Sequence, residues 1–320
     1  MSIKSKAFHP NRGQWLFLIL ALFAIYIVLP RIGIFRHSLA QLVGADWQYL
    51  EVAFMWAIAT NFIAAVTYGL LAKRSLNYGK TLAVQLAGNF VNKLLPAGIG
   101  AIGINYAYLR AHKHSLSQSA SVVAANNLVG IVGHLLLVAF IFVGLRSKPD
   151  NLQLPRLRFD LGWRYIVAFM IVLIISILLF RFRKRAVTGF KAVIKQLLDY
   201  RHSLGKLGLS LLSSITLTFF NVLSLYYSAL GLHFHLSLAS MVIVFTFGVT
   251  LGTATPTPGG LGGVDAGLVV GLVAFHLPVS SALAITLVYR LISSWLPVII
   301  GAGAFYITDR KSYYKTPQSV

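Results

Sequence analysis

TPTPGGLGGVDAG, Thr255 to Gly267, sets two prolines, five glycines and one carboxylate into an otherwise almost unbroken apolar run. Lipid offers no partner for a free backbone N–H or C=O, so membrane segments are normally helical. A helix broken this thoroughly persists only where protein or trapped water takes over its polar groups. Broken helices of that kind mark transport sites.

The stretch has a counterpart earlier in the chain. Lys93 to Asn105 reads KLLPAGIGAIGIN, and aligning Pro96 with Pro258, an offset of 162 residues, sets PAGIGAIG against PGGLGGVD. Proline and two glycines are identical, and Ile/Leu and Ile/Val are conservative matches. The same offset carries the apolar run 48–72 onto 210–234 and the run 117–145 onto 279–307, so motif and flanks repeat together. The pattern is that of an internal duplication, with half-repeats over about 15–145 and 163–307.

Composition sets the class. The 320 residues are 57% hydrophobic and 11% charged, with a mean hydropathy of +0.77, whereas a soluble domain carries roughly 25% charged residues. The chain therefore reads as a single polytopic membrane domain over 1–320. The absence of cysteine excludes disulfides, thiolate metal sites and cysteine nucleophiles. A net charge of +21 raises the question of nucleic acid, but the basic residues fall in short loops between apolar runs, not on a folded basic face. Nucleic acid is not an expected partner.

Apolar runs at about 15–35, 48–72, 117–145, 163–182, 207–231 and 280–307 each approach or exceed the roughly 20 residues that cross a bilayer. The first resembles a signal peptide, yet it continues to Phe35 without a small-x-small cleavage pattern and reads as a retained anchor. With the N-terminus cytoplasmic, the inside segments hold 19 of the 28 Lys and Arg and the outside loops 7, which favours N-in and C-in. The loop from Arg146 to Arg164 runs against that asymmetry. Under this orientation the halves are inverted, and the two broken stretches, 81–110 and 236–276, each begin and end on one side. The fold expected is all-α: about six spanning helices, an inverted repeat, and two re-entrant hairpins whose Pro/Gly tips approach the midplane. Two pairs of short spanning helices have the same parity. Between the halves, 186–206 carries Val187, Phe190, Ile194, Leu197 and Leu198 at helical spacing beside Lys191, Lys195, Arg201 and Lys206, a basic amphipathic helix for the cytoplasmic membrane surface.

Of seven carboxylates, Asp265 alone lies inside an apolar segment. Ionisable residues at membrane depth are expensive and are functional candidates by default, although Asp265 could simply cap the helix that restarts at Val264. Lys93 and Arg290 are the intramembrane cations. One of them can pair with Asp265, which leaves a positive charge beside backbone N–H groups of the breaks, a setting suited to an anionic group such as a lipid phosphate; snorkelling to an interface is the alternative. Gly98, Gly100 and Gly103 spell G-x-G-x-x-G, but no βαβ unit surrounds them, so the dinucleotide reading fails. These glycines, with Gly259, Gly260 and Gly262, let a ligand approach the backbone closely. Asn89, Asn92, Asn105, Asn126, Asn127 and Asn221 add amides to apolar runs. Most read as interhelical glue, with Asn92 and Asn105 the better site candidates because they flank the break at Pro96. His134 could relay protons or simply pack; His233 and His235 are a weak metal signal. No Ser/His/Asp constellation or carboxylate pair points to catalysis, and no metal or cofactor is expected.

LPAGIGAIGINYAYLR (Leu95–Arg110), PTPGGLGGVDAGLVVGL (Pro256–Leu272) and YRLISSWLPVIIGAGAF (Tyr289–Phe305) resemble the lysylphosphatidylglycerol synthase transmembrane-region family. That is the flippase-type membrane domain of multiple peptide resistance factor proteins and their stand-alone bacterial and archaeal relatives, and the resemblance covers about 15–307. The family's aminoacyl transfer resides in a separate soluble domain with no counterpart here, so no lysyl-lipid synthesis is expected. Many members carry Arg and Glu after the first Leu-Pro, where this chain has the uncharged AGIGAIG, and many have Glu where it has Asp265. The charges that would read a headgroup therefore differ.

Together these readings point to a non-enzymatic, multi-pass protein of the bacterial inner membrane that moves an anionic phospholipid or lipid-linked intermediate between leaflets. The alternatives are an ion-coupled transporter of a small polar solute and a non-catalytic membrane scaffold. Membrane lipids are the expected partners; a second copy of the chain and a lipid-modifying enzyme are open to it as protein partners.

Overall fold

The structure, a computed structural model, describes residues 43–95, 98–144, 150, 204–255, 257, 259–311 and 313–314. The expected spans 15–35 and 163–182, the amphipathic segment 186–203, Pro96 and Pro258 lie outside the described residues.

The described residues form helices and no strand: α1 (Trp47–Leu71), α2 (Tyr78–Leu94), α3 (Ile99–Ala111), α4 (Leu116–Ala139), α5 (Leu204–Leu230), α6 (Leu238–Ala254), α7 (Gly263–Ala274), α8 (Val279–Arg290) and α9 (Leu296–Arg310). A π turn, Phe140–Gly144, extends α4, and another, Leu291–Trp295, joins α8 to α9. Among the described residues, four stretches are long and apolar enough to cross a membrane: Trp47–Leu71, Leu116–Val143, Leu204–Leu230 and Val279–Arg310. They coincide with four of the six expected spans.

Short polar side chains start these helices. Asp46 accepts from the Gln48 N–H at 3.0 Å, Asn77 from Lys80 at 3.1 Å, and Ser115 and Gln118 form a reciprocal capping box at the head of α4. Such caps satisfy donors that have no partner within the helix.

The helices pack as α1 along α5, α6 against α7, and α2 against α9. Small residues make the close contacts. A Cβ on Gly267 would strike the Phe247 backbone, one on Gly301 the Leu86 carbonyl, and one on Gly100 the Val91 backbone. With no water to expel between helices in lipid, such backbone proximity is the main source of helix–helix attraction. Leu225, Met241, Leu268 and Ile285 fill the core, while Met55, Phe62, Leu135, Leu212 and Ile299 remain exposed on the outside, as a lipid-facing surface requires.

The two proline-glycine breaks separate short helices. α2 and α3 flank residues 95–98, and α6 and α7 flank residues 255–262. α2 and α6 have 17 residues each, α3 has 13 and α7 has 12. At 1.5 Å per residue the longest reach about 25 Å, less than the roughly 30 Å hydrocarbon core.

Candidate functional site

The site forms where the second break meets α2 and α8. Gly259, Gly260 and Gly262 have φ of 60°, 68° and 83°, the left-handed region that only glycine enters without cost. These turns fold the chain back on itself. The Gly260 N–H donates to the Thr257 carbonyl at 3.2 Å, and the Gly262 N–H to Asp265 Oδ2 at 2.8 Å. The N–H groups expected to face a ligand at these two glycines are thus taken up within the break. What it presents outward is an acceptor, the carbonyl of Gly259.

Both intramembrane cations converge on that carbonyl. Arg290 Nη2 donates to it at 2.9 Å and Lys93 Nζ at 3.2 Å. Arg290 also donates from Nη1 to Ser294 Oγ at 3.1 Å. Its Nε lies 2.8 Å from Asp265 Oδ1 but lacks the alignment of a hydrogen bond, so the contact is a charge pair. The Arg290 side chain is 9% exposed and that of Asp265 33%, so the guanidinium is the buried member of the pair and the carboxylate the more accessible one. Lys93 Nζ rests 5.7 Å from the centre of the Trp295 ring, a cation–π distance. Lys93 has no carboxylate partner among the described residues, and its charge is left over after Arg290 and Asp265 pair.

Local sequence explains each placement. Asp265 is the third residue of α7 and reaches back to the helix head, so capping and charge pairing coexist in one side chain. Arg290 ends α8. Pro297 has no N–H to return to the Ser293 carbonyl, and the ladder reopens as a π turn in which the Leu296 N–H bonds Leu291. π turns of this kind often sit at functional sites, and this one brings Ser294 and Trp295 to the two cations.

A second feature adjoins the first. A cavity of ≈ 260 Å³ is lined by Asn61, Gln85, Asn89, Asn92, Asn105 and Asn221, with Ser293 from the π turn. Gln85 Nε2 donates to Asn105 Oδ1 at 2.8 Å, and Asn89 Nδ2 to Asn61 Oδ1 at 2.8 Å. Asn92 Oδ1 is buried without a hydrogen-bond partner.

Two of the segments that carried the resemblance, Pro256–Leu272 and Tyr289–Phe305, form the charged cluster with Lys93, and the third supplies Asn105 to the cavity. A model of the lysylphosphatidylglycerol synthase TM region matches residues 14–301. The chain belongs to this family. Among its relatives, a UPF0104 membrane protein of Methanocaldococcus jannaschii is 29% identical over 233 residues, 69% of this chain and 95% of the relative. A second from that organism is 22% identical over 321 residues, 92% and 94% of the two chains. A UPF0104 membrane protein of Methanothermobacter thermautotrophicus is 22% identical over 277 residues, 81% and 83%.

In this member of the TM-region family, Asp265, Arg290, Lys93 and Gly259 come together, and Asn92 and Asn105 line the adjoining cavity. Gly98, with φ of 74°, forms the turn into α3, and Gly100 allows α3 to touch α2. Gly103 has no heavy atom within 4 Å of a Cβ position, so no close approach depends on it. His134 bonds Thr246 Oγ1 at 3.2 Å, away from the charged cluster. His233 bonds the Gly44 carbonyl at 3.0 Å, and no cluster of three metal-ligating residues occurs among the described residues. Residues absent from the sequence reading are Asn61, Gln85, Ser294 and Trp295. Gln85, Asn89 and Asn92 do recur at helical spacing on one face of α2, a polar stripe in an apolar run.

Proposed function

We propose that this family member moves a lipid with an anionic headgroup across the membrane, with Lys93 and Arg290 as the headgroup site. The carrying observation is the convergence of two cations on one carbonyl, with a single carboxylate that pairs with Arg290. Such a cluster holds a surplus positive charge in a poorly solvated place, and a phosphate neutralises it through charge-assisted hydrogen bonds. Asp265 occupies Arg290 when no phosphate is bound and exchanges with it.

An apolar groove favours lipid over a water-soluble solute. It has a volume of ≈ 460 Å³, runs between α1 and the α8–π–α9 segment, and is lined by Phe54, Met55, Val288, Leu291 and Leu296, with the exposed Glu51 its one charged residue among the described residues. Met55 and Leu291 are exposed at its mouth, so it opens on the lipid-facing surface beside the helix that ends in Arg290. Acyl chains would lie there while the headgroup crosses. The two broken pairs act as re-entrant hairpins of inverted halves, in a cell membrane with both termini cytoplasmic. Transport is the whole activity, without aminoacyl transfer, and energy comes from an ion gradient or the lipid gradient itself.

Proteoliposomes carrying labelled phospholipid in one leaflet test this. The protein should accelerate leaflet exchange of an anionic lipid well above that of a zwitterionic one. Exchange no faster than in protein-free vesicles, with or without a proton gradient, refutes the lipid reading. Uptake of a water-soluble organic anion instead favours the solute transporter.

A further inference from the structure

We propose that the amide-lined cavity recognises a neutral polyhydroxyl headgroup, a polyol or sugar ring, carried on the phosphate that Lys93 and Arg290 hold. This rests on the lipid reading above and adds the headgroup's chemical class.

The cavity wall is polar and uncharged. Asn61, Gln85 and Asn105 are 6%, 9% and 2% exposed, so the amides are built into the interior. One N–H of each of four of these amides is engaged within the protein. Gln85 donates to Asn105, Asn89 to Asn61, Asn105 Nδ2 to the Ala101 carbonyl at 2.9 Å, and Asn221 Nδ2 to the Leu217 carbonyl at 3.0 Å. The carbonyl oxygens of Gln85, Asn89 and Asn221 accept from no donor among the described residues, and Asn92 Oδ1 is buried in the same condition. Buried polar atoms are nearly always paired, and one left open calls for a missing partner. Helix gluing accounts for the Asn89–Asn61 and Gln85–Asn105 bonds but not for a cavity with four unused acceptors.

The open amide oxygens take donors, which are cations or hydroxyls, and the spare amide N–H groups can return a bond only to a hydroxyl. A cation or ammonium is disfavoured because no carboxylate lines the cavity and Asn92 adjoins the unpaired charge of Lys93; transfer of a charge to neutral dipoles is costly. Hydroxyls donate to these oxygens and bring no charge. The phosphate and hydroxyl subsites are neighbours along the chain. Lys93 follows Asn92 on α2, and Ser293 of the cavity wall precedes Ser294, which holds Arg290. One ligand can therefore place its phosphate on the cations and its ring among the amides. Asn126 and Asn127 lead on into a further, partly polar space of ≈ 320 Å³ beside Gln85 and Asn105, room for a headgroup larger than one ring.

The test compares two monoanionic phosphodiester lipids that differ in hydroxyl content, phosphatidylinositol and phosphatidylethanol, for equilibrium binding to the purified full chain in detergent. Inositol phosphate serves as the soluble competitor. Phosphatidylinositol should bind about tenfold tighter, the effect of one or two net hydrogen bonds. Asn92→Ala and Asn221→Ala should pull that ratio toward unity without weakening phosphatidylethanol. Both are expected to fold, because Asn92 Oδ1 has no partner and Asn221 bonds only its own helix. Equal binding of the two lipids by the unmodified protein overturns the inference and leaves the anionic-lipid reading standing. A ratio unchanged in both variants overturns the assignment to this cavity. Binding of neither lipid overturns both readings, and inositol phosphate competing as well as the lipid overturns the lipid source.

Discussion

Removal of the Asp265 charge is the sharpest probe of the cluster. Asp265→Asn keeps an oxygen for the Gly262 N–H, so the head of α7 stays capped, but leaves Arg290 without its counter-charge. Loss of one partner from a fully buried ion pair costs about 3–5 kcal/mol. Here the carboxylate is 33% exposed and Arg290 keeps the Gly259 carbonyl and Ser294 Oγ. Those partners bring the expected loss down to about 1–3 kcal/mol. Asp265→Ala should lose about 1 kcal/mol more, because the cap goes too. In an Arg290→Gln background the Asp265→Asn substitution should cost almost nothing, since no charge is stranded. Unfolding of the purified protein in detergent, by heat or denaturant, reads all four variants. Asp265→Asn with stability within about 0.5 kcal/mol of the unmodified protein, or with the same cost in both backgrounds, refutes the pairing argument.

Gly259→Ala should destabilise the break by about 1–2 kcal/mol, because φ of 60° is strained for any residue with a Cβ. The new methyl also displaces the Lys93 side chain, so anionic-lipid binding should weaken in the same variant. The turn residue His114 is 1% exposed, and burial holds its pKa below the ordinary histidine value. The folded state therefore binds its proton less readily than the unfolded chain, and stability should fall as pH drops through about 6.5. His114→Gln should flatten that segment of the stability profile. The Ser237 N–H donates to Asp150 Oδ2 at 2.7 Å and lowers that carboxyl's pKa. Its contribution is present above the ordinary carboxylate range and lost as pH falls below about 4. Asp150→Asn should remove that acid-sensitive step in the unfolding profile.

How much of this is legible in the sequence differs by kind of feature. Length and hydropathy mark the helices α1, α4 and α5 and the α8–α9 span, because a lipid-facing helix must be apolar all round for about 20 residues. The breaks are equally visible, since proline and clustered glycines within a few residues interrupt the helical backbone ladder. Charge scarcity singles out Asp265, Arg290 and Lys93, but three isolated positions do not say which cation takes the carboxylate. That depends on the π turn after Arg290, and Pro297 signals only a helix irregularity, not the register that follows. The outward group at the second break also reverses the expectation. Glycines suggest open N–H donors, whereas the left-handed turns direct the Gly260 and Gly262 N–H groups back into the loop and leave the Gly259 carbonyl for the cations. The amide cavity was only half visible. Asn92 and Asn105 flank a motif, but Asn61 and Gln85 belong to unbroken helical segments, and only packing brings them together.

The central claim is that Lys93 and Arg290 hold the headgroup during transfer. Its most direct test is leaflet exchange of labelled anionic phospholipid in proteoliposomes, with folded Arg290→Gln and Lys93→Gln variants beside the unmodified protein. The account predicts exchange slowed about tenfold or more in each variant, the loss of one charge-assisted contact, with little change for zwitterionic lipid. Anionic-lipid exchange at the unmodified rate in both variants would contradict it.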